Sequence, residues 1–189
     1  MTDPAVGVTA VEPSATRAAL GLGSNLGDRA ATLRAAIADI AGWPGSRIAA
    51  VSPVYETDPV GGPVGQGPYL NAVVLLDTRR EPHELLTLAH ATEQAQGRVR
   101  GQRWGARTLD VDVLAVGNCV VHDESLTVPH PRAHLRRFVL VPWADVDPDF
   151  VVPGKGDVGT LLDELAAEPG STVRRRDDVS LQPAPGTSP

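Results

Sequence analysis

Leu109-Asp110-Val111-Asp112-Val113-Leu114-Ala115-Val116 reads as a strand, and it closes the series of elements that decides the fold. Side chains alternate across a strand, so Leu109, Val111 and Val113 share one face while Asp110 and Asp112 share the other. Working back, Pro82 opens a helix whose apolar face is Leu85, Leu86, Leu88, Ala89 and Thr92, and Gly97 closes it. Two strands precede that helix, over 47–55 and 69–76, separated by a loop over 58–68 that holds four glycines and three prolines. Earlier still, Leu33, Ala36, Ile37, Ile40 and Ala41 recur at helical spacing behind Asp28 as N-cap, with Gly42 and Pro44 as the stop. Ala18-Ala19-Leu20-Gly21-Leu22 is a short apolar strand ending at the turn signal Gly23-Ser24-Asn25.

The resulting order, βαββαβ, is that of a ferredoxin-like α+β core with two helices on one face of an antiparallel sheet. Beyond it, Gly117-Asn118 is a turn from which Cys119-Val120-Val121 returns as a hairpin, and helices are expected over 133–143 and 158–167. Residues 1–16 and 169–189 are rich in Pro, Gly and small residues or in charge, and read as disordered tails around a domain over 17–168.

Composition narrows the function classes. With 42% hydrophobic residues in 189, the chain can bury a core, and no apolar run is long enough to span a bilayer. The first sixteen residues lack the basic flank and apolar stretch of a signal peptide, and Cys119 is the only cysteine, so the expected location is the cytoplasm. A net charge of −6 argues against broad nucleic-acid affinity. Within that acidic chain, Arg98, Arg100, Arg103 and Arg107 crowd into ten residues just before the aspartates.

Asp110 and Asp112 stand roughly 6.6 Å apart along their strand, a spacing at which two carboxylates converge on hard, oxygen-preferring cations such as Mg²⁺. The competing reading is a strand with a wet outer face. The stretch Gly97-Arg98-Val99-Arg100-Gly101-Gln102-Arg103-Trp104-Gly105-Ala106-Arg107 supplies guanidiniums for phosphate oxygens on a glycine-rich loop able to close over a ligand. Surface pairing with acids and RNA binding are the alternatives there, although Trp104 alone offers a base-stacking ring. Together, a basic loop and an acidic pair are what a metal–nucleotide site requires. The chain has no G-x-x-x-x-G-K-[ST] segment and no protein-kinase motif set. Leu126-Thr127-Val128-Pro129-His130-Pro131 adds one histidine, a weak signal alone.

Six blocks in order are Gly23-Ser24-Asn25-Leu26-Gly27, Tyr69-Leu70-Asn71-Ala72, Gly97-Arg98-Val99-Arg100, Arg103-Trp104-Gly105, Arg107-Thr108-Leu109-Asp110-Val111-Asp112 and Leu126-Thr127-Val128-Pro129-His130. From about Arg17 to Val152 the chain resembles the 6-hydroxymethyl-7,8-dihydropterin pyrophosphokinases of folate biosynthesis. The resemblance implies transfer of the β,γ-diphosphate of ATP to the pterin hydroxymethyl oxygen with release of AMP. It implies that Asp110 and Asp112 ligate two Mg²⁺ ions, and that Arg98 and Arg107 engage the transferring phosphates. Tyr69 and Phe138 would stack on the pterin, Asn71 would bond its edge, the backbone near Thr57 and Val60 would complete recognition, and Trp104 would close the loop over it. Glu93, Arg100, Arg103, Val113, Thr127, His130 and Arg136 fall to the ATP side. Asp58, His90, Ser125 and Pro131 depart from the family pattern and bear on substrate contacts. The expected partners are therefore two small molecules, ATP and a reduced pterin, acting on a monomer, with no nucleic acid and no membrane. A nucleotidyltransferase also pairs a Gly-Ser turn with an Asp-x-Asp strand, but there the two lie close in sequence, whereas Gly23-Ser24 and Asp110 are far apart. A non-catalytic ferredoxin-like module that binds nucleotide or RNA is the rival from outside enzymology.

Overall fold

The apolar positions of Thr16–Ser24 (β1) divide between two cores. Ala18, Leu20 and Leu22 enter one and Ala19 enters the other, so the strand is central and buried on both faces. The computed structural model describes residues 14–59, 65–98, 107–165 and 172–181. β1 runs through Gly23 and Ser24, two residues past the expected stop, because both pair across to Tyr69–Thr78 (β4), at Asn71 and Leu70.

Arg29–Ala41 (α1) starts where the Asp28 carboxylate accepts the Ala31 N–H at 3.0 Å. It buries Leu33, Ala36, Ile37 and Ile40. Pro82–Ala95 (α2) is entered through a capping box in which the Glu84 carboxylate accepts the Glu81 N–H at 2.9 Å. Both helices cover the Ala18–Leu20–Leu22 face, where Leu85 and Ala89 of α2 meet Val111 and Val113 of Asp110–Val116 (β5).

The single strand expected over 47–55 is two strands, Ser46–Val51 (β2) and Tyr55–Thr57 (β3), both antiparallel to β4. The break falls at Ser52-Pro53. Pro53 has no N–H to give, and the Ser52 hydroxyl takes over as acceptor of the Val73 N–H at 2.8 Å. In the core of the sheet, β4 lies between β3 and β1, and β1 between β4 and β5, all antiparallel. This is the ferredoxin-like order, with a further strand on its outer edge.

Four further expectations are corrected. The hairpin after Gly117 is not β5 folding back on itself. The outer edge of β5 is occupied by the His130 N–H, which donates to the Leu114 carbonyl at 2.8 Å, and Val121–His122 (β6) pairs instead with Thr127–Val128 (β7). The helix expected over 133–143 is a 3₁₀ turn, Ala133–Leu135, followed by Arg137–Ala144 (α3), because Arg136 between them is extended (φ −126°, ψ 108°). Past the Val151–Val152 and Gly156–Asp157 pair (β8, β9), Val158–Glu164 (α4) ends with Leu165 extended, short of the expected 167. Finally, the C-terminal stretch is not all tail: Val173–Arg175 (β10) adds to the free edge of β3, and Leu181 is buried in the α1 core. Arg174 and Arg176 pair with Glu56 of β3, Arg175 pairs with Asp145, and Leu181 joins the core under α1, which offsets the ordering cost.

α3 and α4 cover the second face of the sheet. Trp143, fully buried, packs against Phe150 with ring centroids 5.0 Å apart, over Ala19, Val73, Leu75 and Leu114. No helix among the described residues is long and apolar enough to cross a membrane.

Candidate active site

Next to this second core the sheet face is left open. Gly21 and Gly23 of β1 present no side chain there. A Cβ on Gly23 would meet Asn71 Oδ1 at 3.3 Å, and one on Gly21 would meet the Leu114 side chain at 3.3 Å. Their absence leaves a cavity of about 440 Å³, lined from β1, β3, β4, β5 and the segment between β7 and α3. It gathers Thr57, Tyr69, Asn71, Arg107, Asp110, Asp112, His130, Arg136 and Phe138, nine of the residues singled out from the sequence.

Alternation along β5 puts both aspartates on this face, with Val111 and Val113 in the opposite core. Asp110 is held by cations: its Oδ1 accepts from Arg98 Nη1 at 2.7 Å and from Arg107 Nη1 at 2.8 Å. Burial opposes the charge on Arg107, yet the adjacent Asp110 carboxylate leaves its pKa raised. Asp112, half-buried deeper in the cavity, has its pKa raised well above the carboxylate range, first by desolvation and then by the charge of Asp110. Arg107 itself is fixed by Asn25, whose side-chain oxygen accepts the Arg107 N–H at 2.7 Å and whose N–H donates to the Arg107 carbonyl at 3.1 Å.

One wall is suited to a flat, polar-edged ring. Tyr69 and Phe138 supply aromatic surface, and Asn71 on the same lining is 7% exposed with its amide donating to Thr57 Oγ1 at 2.8 Å. Among the described residues no hydrogen bond is made to the Asn71 side-chain oxygen, which faces Gly23 and is placed to accept from a ring edge. Opposite lies a basic rim. The extended backbone at Arg136 sets that side chain on the cavity lining, its Cζ 5.5 Å from the Phe138 ring centroid. His130 is pushed down to about 4 by burial and by the charges of Arg136 and Arg132, so it is a neutral imidazole at pH 7.

Other expected residues stand elsewhere. Glu93 is buried behind β5, where its carboxylate accepts the Val111 N–H at 2.8 Å and pairs with Arg98; desolvation raises its pKa. It bears on the site through Arg98, through the backbone of Val111 between the two aspartates, and through its charge on Asp112. Val113 turns its side chain into the helix-covered core, and Thr127 pairs with His122 in the small hairpin; neither lines the cavity. Val60, Arg100, Arg103 and Trp104 lie outside the described residues. The cavity also contains residues the motifs did not single out: Gly21, Arg132, Leu135 and Val139. Two glycines at i and i+2 on an otherwise apolar strand are the sequence signal that would have revealed the open face.

Asp110 and Asp112 suit a hard divalent cation in donor type and placement, since both are oxygen ligands on one cavity wall, and a cation would relieve the charge crowding on Asp112. Among the described residues no third His, Cys, Asp or Glu joins them, so further ligands have to come from water or substrate oxygens.

A family model described as 7,8-dihydro-6-hydroxymethylpterin-pyrophosphokinase (HPPK) matches residues 19–148. The chain is similar to the 2-amino-4-hydroxy-6-hydroxymethyldihydropteridine pyrophosphokinase of Methylorubrum extorquens, 46% identical over 160 residues that cover 85% of this chain and 98% of the relative. It is likewise similar to the proteins of that name from Mycobacterium tuberculosis (46% over 172 residues, 84% and 89% covered) and Pseudomonas aeruginosa (42% over 159 residues, 84% and 96%). In fold it is similar to wild-type Plasmodium falciparum HPPK-DHPS, with a TM-score of 0.62 at 14% identity over 82% of this chain; it spans 45% of that longer chain. The open sheet face with its paired aspartates, and the match across both that face and the helices behind it, place this chain in the 7,8-dihydro-6-hydroxymethylpterin-pyrophosphokinase family.

Proposed function

We propose that this protein transfers the β,γ-diphosphate of ATP to the hydroxymethyl oxygen of 6-hydroxymethyl-7,8-dihydropterin, giving AMP and the pterin diphosphate for tetrahydrofolate biosynthesis. The observation that carries this reading is one cavity in which an aromatic-and-amide wall, two aspartates and an arginine rim face each other. Tyr69 and Phe138 bind the pterin rings, and Asn71, oriented by Thr57, reads their edge. Arg107 and Arg136 take the phosphates, with Arg98 swinging from Asp110 to join them.

The hydroxymethyl oxygen attacks the β-phosphorus, the bond from that phosphorus to the α,β-bridging oxygen breaks, and AMP leaves with that oxygen. The hydroxyl proton passes to solvent. Asp110 and Asp112 would hold Mg²⁺, two ions by the family resemblance, which when bound neutralises charge on the phosphates. The chain's own contribution is positioning and fixed charge rather than a protein base. His130, neutral at pH 7, serves as a hydrogen-bond partner on the nucleotide side.

Incubation with ATP, Mg²⁺ and 6-hydroxymethyl-7,8-dihydropterin tests this reading. AMP and the pterin diphosphate are the expected products. Release of inorganic diphosphate would instead identify a nucleotidyltransferase, and no turnover at all would favour a binding module.

A further inference from the structure

The pterin-recognising wall rests on a short strand. β3 is three residues long, and its last residue, Thr57, accepts from Asn71 inside the cavity, with Asp58 next on the lining. On one side β3 pairs with β4 through Tyr55↔Asn71, Glu56↔Leu70 and Thr57↔Tyr69. Among the described residues its other side is covered by β10 alone, in the register Val173↔Thr57, Arg174↔Glu56 and Arg175↔Tyr55.

The attachment is ionic as well as backbone. Glu56, with its side chain 11% exposed, accepts from Arg174 Nη2 at 2.8 Å and from Arg176 Nη1 at 2.7 Å, and lies 3.2 Å from Arg29 Nη1 at the start of α1. Burial works against the Glu56 charge, but Arg176 and the other two guanidiniums leave its pKa lowered. Arg176 is braced in turn by Asp178 through two bonds, at 2.8 and 2.7 Å, and its N–H donates to the Val54 carbonyl at 2.8 Å. Further along, the Ser180 carbonyl accepts from Arg34 Nε at 2.9 Å and Leu181 is buried against α1. A carboxylate so enclosed, bridging three chain segments, is more than a surface ion pair.

We propose that Glu56, Arg174 and Arg176 are positioning residues for acceptor recognition: by locking the C-terminal strand onto β3 they hold Thr57, and through it the Asn71 amide, in the orientation that reads the pterin edge. This rests on the proposed function. If the wild-type chain makes no AMP from the pterin and ATP, that reading fails first, and the two failures are distinguishable.

The test is the full-length Arg174→Ala/Arg176→Ala variant, followed by amide hydrogen exchange at Tyr55–Thr57 and by steady-state kinetics in each substrate. The expected result is faster exchange on β3, a rise in pterin KM of about tenfold, and an ATP KM within about twofold of wild type. Arg174→Lys/Arg176→Lys is expected to restore most of the pterin KM. Unchanged exchange on β3 would overturn the claim that the ion cluster holds the strand. Faster exchange with both KM values unmoved, or both raised alike, would overturn the positioning role.

Discussion

Arg107 Nη1 and Asp110 Oδ1 are 2.8 Å apart, and the same oxygen also accepts from Arg98 at 2.7 Å. Two guanidiniums thus converge on one carboxylate oxygen of the cavity wall. On the proposed function, phosphate oxygens would take these arginines while a divalent cation takes the aspartate. Carboxylate and guanidiniums would then exchange partners with no charge left unpaired in the cavity.

Asp110→Ala and Asp112→Ala are expected to cut AMP formation on the order of 10²-fold or more, the scale on which one lost electrostatic stabiliser is felt. Pterin affinity should move far less, because neither carboxylate belongs to the aromatic wall. Turnover assays beside calorimetric titration with pterin check both halves. Full turnover in Asp112→Ala would sink the catalytic assignment.

Phe138→Ala removes one face of the proposed ring clamp and the surface against which Arg136 sits. An aromatic contact of this kind is worth about 0.5–1.5 kcal/mol beyond the buried area. The pterin Kd should rise about tenfold. Unchanged affinity by calorimetry would refute the sandwich.

Thr57→Val keeps the shape of the side chain and deletes the acceptor for the Asn71 amide. A buried donor left without a partner costs about 1–3 kcal/mol. The variant is expected to lose about that much stability in denaturant titration and to bind pterin more weakly, since the amide becomes free to rotate. An Asn71→Ala background should abolish most of the additional binding defect.

The fold was legible wherever one residue pattern had one structural meaning. The alternation around Asp110 and Asp112 and the helical spacing of Leu33, Ile37 and Ile40 fall into this group, because burial on a single face enforces the period. The split at Ser52-Pro53 was hidden because a serine hydroxyl replaced a ladder bond, a local substitution that leaves β-branched composition on both sides. Strand β10 was hidden for a different reason. Arg174-Arg175-Arg176 looks like a solvated tail until Glu56 and Asp145 are known to face it. In the site, Asp110, Asp112, Tyr69 and Asn71 were read from motifs. The floor made by Gly21 and Gly23 was not, since its function is the space a side chain would fill.

The histidine of the cavity lining gives a pH signature. His130 has a folded-state pKa pushed down to about 4, against about 6.5 when unfolded, by burial first and then by Arg136 and Arg132. Between those values the unfolded chain binds a proton that the folded chain refuses, so stability falls as pH is lowered from about 6.5 toward about 4 and is complete above that window. Carboxylates with lowered pKa values, such as Glu56, slope the same way, so the histidine must be isolated by difference. His130→Gln, which cannot titrate, is expected to flatten the dependence of ligand-free stability on pH over this window, measured by urea denaturation at steps between pH 7 and 4.5. A slope identical to wild type would show that His130 is freely protonated in the folded chain, and the neutral role given to it beside the nucleotide would fall.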